Sequence, residues 1–75
     1  GDSAHFHFTT QDSPAQVFRF YEAGLKQAGL NVEATGGENG GLITAVDENR
    51  EREATVHVAS AGGVTNVTGS FKSKN

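Results

Sequence analysis

Apolar and polar residues alternate along Ala4-His5-Phe6-His7-Phe8-Thr9, the period of two that marks a strand with one face turned to a core. In that register Ala4, Phe6 and Phe8 point inward, and His5, His7 and Thr9 point outward. The period then changes. Val17, Phe18, Tyr21, Leu25 and Ala28 recur at helical spacing, with Arg19, Glu22 and Lys26 on the opposite side, so one helix face packs and the other is wet. Ser13-Pro14-Ala15-Gln16 supplies the start: a capping serine, a proline suited to the first helical position, and a glutamine placed to close a capping box. Gly29 and Leu30 supply the stop, a residue free to turn left-handed followed by one that folds back on the last turn. A helix is predicted from Ser13 to Ala28.

Alternation resumes at Asn31-Val32-Glu33-Ala34-Thr35 and runs into Gly36-Gly37-Glu38-Asn39-Gly40-Gly41, which reads as a flexible glycine-rich loop. Leu42 to Asp47, Arg52 to Ala59 and Val64 to Phe71 read as three more strands, separated by the charged tip Glu48-Asn49-Arg50-Glu51 and the turn Ser60-Ala61-Gly62-Gly63. Connections of about four residues favour antiparallel hairpins, whereas a helix-sized crossover separates the first two strands. The expected fold is α+β and two-layered: one amphipathic helix packed on a mainly antiparallel sheet, in the order β-α-β-β-β-β.

Length fixes the domain count. With 75 residues there is room for one core, so residues 1–75 form a single domain, with 1–3 and 72–75 expected as loose tails. The larger apolar side chains fill one layer between a helix and a sheet and leave nothing to line a deep internal pocket. There is no cysteine, so no disulfide staples the fold and no thiol chemistry operates. The net charge is -3, and the six cations are scattered; nucleic acid is therefore excluded as a partner, since gripping phosphates takes a basic stripe. No apolar run approaches the roughly 20 residues of a membrane span, so no transmembrane segment is expected. Gly1 stands where an initiator Met would and reads as the remnant of a cleaved tag, a trimmed start compatible with an export signal removed upstream.

One constellation carries candidate chemistry. His5, His7 and His57 all fall on the outward side of their strands. Two histidines at i and i+2 point the same way, and a third from a neighbouring strand would complete a divalent-metal site if those strands touch. No cofactor is otherwise implied. Phe20 lies about 100° round the helix from the middle of its apolar face, as a flank residue over a sheet edge or as an exposed anchor for a partner. The glycine segment lacks the helix that follows a phosphate-cradling loop and reads instead as a mobile hairpin connection, and the acidic tip lacks the central glycine of a calcium loop. Ser13, the best-placed serine, is used as a cap, so no nucleophile is offered and no enzyme is expected. Asn66-Val67-Thr68 is a glycosylation sequon by pattern and falls within a strand.

The run Ser13-Pro14-Ala15-Gln16-Val17-Phe18-Arg19-Phe20-Tyr21, with Leu25 and Ala28-Gly29-Leu30, resembles short bacterial envelope proteins and lipoproteins of uncharacterised function. In those a strand precedes a Ser-Pro or Thr-Pro helix start, a Phe-Tyr pair, and an Ala-Gly-aromatic ending before a glycine-rich hairpin; Leu30 replaces the aromatic here. The resemblance implies an exported location, periplasmic or envelope-associated, with a cytoplasmic one left open, and carries no statement about activity. The function expected is a non-catalytic interaction module of the bacterial cell envelope, binding a protein partner or itself through an open sheet face or edge strand. The alternative is a small metal- or ligand-binding domain centred on the histidine face.

Overall fold

The computed structural model describes residues 1–74. The elements run β1 (Asp2–Thr10), α1 (Pro14–Gln27), β2 (Asn31–Gly37), β3 (Gly40–Val46), β4 (Arg52–Ala61) and β5 (Val64–Ser73). The strands form one five-stranded sheet in the order β1-β5-β4-β3-β2, and every neighbouring pair is antiparallel. The predicted two-layer α+β fold is the observed one. β1 and β2 are the two edges, and α1 carries the chain from one to the other.

The helix begins and ends where its sequence says. The Gln16 N–H donates to Ser13 Oγ at 3.2 Å and the Ser13 N–H donates to Gln16 Oε1 at 3.2 Å, a reciprocal capping box that satisfies two otherwise orphaned donors. At the other end the Leu30 N–H donates to the Leu25 carbonyl at 3.2 Å. Val17 and Phe18 are buried beneath the helix against Ile43, Val56, Val58 and Val67. Ile43, Val56 and Val67 have no solvent exposure, and burying such a side chain contributes about 1.5–3 kcal/mol.

The glycine-rich segment is not a loop. Gly36 pairs with Gly41 and Gly37 with Gly40, both inside the β2–β3 ladder, and only Glu38 and Asn39 form the turn. Glycine serves close approach here: a β-carbon on Gly41 would meet the Thr35 carbonyl and the Gly36 backbone and stand 3.0 Å from the Phe18 ring. The last hairpin is likewise tighter than expected. Ala61 pairs with Val64, and Gly62 and Gly63 take φ of 59° and 85°, the pair of positive values that a two-residue turn between twisted strands requires.

The expected tails are partly strand. Asp2 and Ser3 pair with Ser73 and Lys72, while Asn75, assigned to the second tail, lies outside the described residues. The inward side of β1 also departs from expectation. Ala4 and Phe8 are exposed and Phe6 is half-buried, because α1 lies closest over β2, β3 and β4.

Candidate functional site

The partly covered half of the inner sheet face is lined with rings. Phe6 is their hub: its centroid lies 5.7 Å from that of Phe71, 6.1 Å from Phe8 and 6.2 Å from Tyr21, with interplanar angles of 25° or less. Register explains the cluster. Ala4 pairs with Phe71, and Phe6 pairs with Gly69, over which its ring lies. Phe8 and Phe71 keep 39% and 42% of their surface exposed, far more than a core aromatic of so small a domain retains.

Phe20 stands at the rim. It is 72% exposed and meets Tyr21 edge-on, with centroids 5.3 Å apart and planes at 89°. It lies at the flank of the helix beside edge strand β1, with most of its ring in solvent. Between it and β1 runs an open trough of about 360 Å³, lined by Phe8, Thr10, Asp12, Val17, Phe20 and Tyr21 among others. The trough is open to solvent rather than enclosed, which suits side chains of another molecule better than a buried ligand. The trough is held in shape at its end by Thr65, a buried residue of β5 whose hydroxyl donates to the Asp12 carbonyl at 2.7 Å. The bond pins the β1–α1 connection to the sheet. Nothing in the sequence singled out Thr65, because its partner is a main-chain oxygen 53 residues away.

The histidines lie on the opposite face of the sheet, exposed as expected. They do not converge. β1 is next to β5, not β4, so His7 and His57 flank Thr68 from either side in one cross-strand row. That is two strand spacings, or about 10 Å. Among the described residues no group of three or more His, Cys, Asp or Glu side chains is placed to hold a metal ion.

The charged tip serves its own loop. The Asp47 carboxylate accepts the N–H groups of Glu51 at 2.7 Å and Arg52 at 3.2 Å, and the Arg52 Nε–H at 3.4 Å. Desolvation by partial burial pushes the Asp47 pKa up, but the backbone bonds from Arg52 and Glu51, with the Arg52 side chain and its charge, outweigh it and hold the carboxyl below its usual range. Among the described residues no helix is long and apolar enough to cross a membrane. No family model, no curated protein and no solved structure matches this chain.

Proposed function

We propose that this domain is a non-catalytic interaction module, exported to the bacterial cell envelope, that binds an extended protein segment across the aromatic half of its inner sheet face. The single observation that carries the reading is the exposure of Phe8, Phe20 and Phe71 around one ring cluster. Aromatic side chains held at low entropy cost are the usual anchors of protein recognition. Asp12 is the charged residue of the trough and the chain carries a net charge of -3. The fitting partner therefore carries apolar or aromatic side chains with basic flanks. The envelope assignment rests on the resemblance of the Ser13–Leu30 segment to short envelope proteins.

The test is selection of displayed peptides against the folded domain, followed by amide chemical-shift mapping. Selected peptides should be aromatic and basic. They should move the signals of Phe6, Phe8, Phe20 and Phe71, and they should fail against a Phe20→Ser, Phe71→Ser double variant. Peptides that map to the histidine face, or that bind the double variant equally well, defeat the reading.

A further inference from the structure

We propose that two copies of this chain join edge to edge through β1, and that the joint builds a four-imidazole site for a divalent cation, Zn2+ being the best fit, from His5 and His7 of each copy. β1 is an outer strand of nine residues, so one side of its main chain offers unpaired donors and acceptors. Natural edge strands are commonly blunted by lysine or glutamate, proline or a bulge. β1 has none of these: its only formal charge is Asp2 at one end, and its pairing with β5 steps residue for residue from Asp2↔Ser73 to Thr10↔Thr65. The other edge, β2, is shorter at seven residues and carries Glu33 near its middle.

One register uses the whole strand. Antiparallel pairing of Asp2–Thr10 with itself over its full length places the two-fold axis at the midpoint, Phe6. On the inner face Phe6 then meets Phe6 of the second copy, and Ala4 meets Phe8. On the outer face His5 of each copy stands directly opposite His7 of the other. Residues two apart on a strand are about 7 Å apart, and directly opposed β-carbons about 4.5–5.5 Å. Four imidazoles thus rise from the corners of a small rectangle on one face. Four neutral nitrogen donors suit a tetrahedral Zn2+ at about 2.0–2.1 Å, and the absence of a carboxylate among these four donors disfavours Ca2+ or Mg2+.

A single chain has half of this set. His57, the third histidine, lies beyond β5 with Thr68 between it and His7, and takes no part. The second copy is therefore what completes the site. The same joint makes the two open aromatic faces continuous, forming one floor between the two helices, so the inference extends the proposed partner-binding face without occupying it.

Sedimentation of the chain with EDTA and with added ZnSO4 tests the proposal. Zinc should convert monomer to dimer at one ion per two chains, EDTA should reverse it, and the ring signals of His5 and His7 should shift while those of His57 stay. His7→Gln removes two of the four ligands and should weaken the zinc-dependent dimer by more than the roughly 10–100-fold that loss of a supporting contact costs a metal site; His57→Gln should leave it unchanged. A chain that stays monomeric with zinc overturns the proposal. So does a zinc-driven dimer that survives a His5→Gln, His7→Gln double variant whose circular dichroism matches the parent. Peptide binding measured in EDTA reads the aromatic face alone, so failure of either idea is visible separately.

Discussion

The ring of Phe6 lies over Gly69, its cross-strand partner on β5, and occupies the space that a β-carbon at position 69 would need. The absence of a side chain is thus what lets the hub of the aromatic cluster sit flat against the sheet. Gly69→Ala should push the ring outward and break its stacking with Phe71 and Tyr21. A loss of about 1–3 kcal/mol is expected from such overpacking, read by urea denaturation, together with a weaker near-ultraviolet dichroism signal. An unchanged midpoint would show that the ring moves aside freely.

Ser13 and Gln16 cap α1 reciprocally. Ser13→Ala should cost about 0.5–2 kcal/mol, and Gln16→Ala should lower stability by a smaller amount, because it leaves the Ser13 hydroxyl on the helix N–H and frees only the exposed Ser13 N–H, which water can reach. Thermal melts of both variants and the double variant check this. Since the two residues form one unit, the double variant should lose less than the sum of the singles.

Asp47 predicts the acid behaviour. Its pKa in the fold is depressed, so the ionised carboxylate stabilises the folded state at pH values above the ordinary aspartate range. That contribution fades as pH falls through the folded value. Asp47→Asn should therefore be less stable than the parent near neutrality, and the gap should narrow as the pH falls from neutrality through and below the range of an unperturbed aspartate, about 3.9. Urea midpoints across that range are the measurement, and a gap independent of pH would assign the effect to geometry rather than charge.

Ile43 sits in the centre of β3 with no exposure and is paired with Val56. Ile43→Val should cost about 0.5–1.5 kcal/mol by removing one methylene from a core this thin. Phe20→Ala, at a site 72% exposed, should stay within about 0.5 kcal/mol of the parent. The contrast separates side chains that hold the fold from those free to meet a partner, and matched denaturation curves read both.

Much of this fold is legible along the chain because the periodicities are local. The strand marked by the alternation at Phe6 and Phe8, the cap at Ser13 and the stop at Gly29 each report on a few neighbouring residues, and each stands where the sequence places it, although the burial expected of Phe8 is not found. The glycine segment misled because glycine is a poor strand former in isolation; the need for Phe18 to approach Gly41 lies in another element. The candidate site was least legible. That Phe8 and Phe71 stay open depends on which strands α1 covers, and that His7 and His57 stay apart depends on β5 lying between β1 and β4. Strand order is a property of long-range pairing, and no short window of sequence contains it.

Asp2 stands opposite Ser73, so any chain continuing beyond β1 or β5 leaves the sheet from the same corner. A pull applied there opens the β1–β5 ladder pair by pair, as a zip, instead of shearing all its hydrogen bonds at once. The domain should yield to small forces along that direction. The same geometry means that it can be spliced into a surface loop of another protein without spreading the host's ends, and that joining its own ends through a short linker would let a new break be made at the Gly62-Gly63 turn.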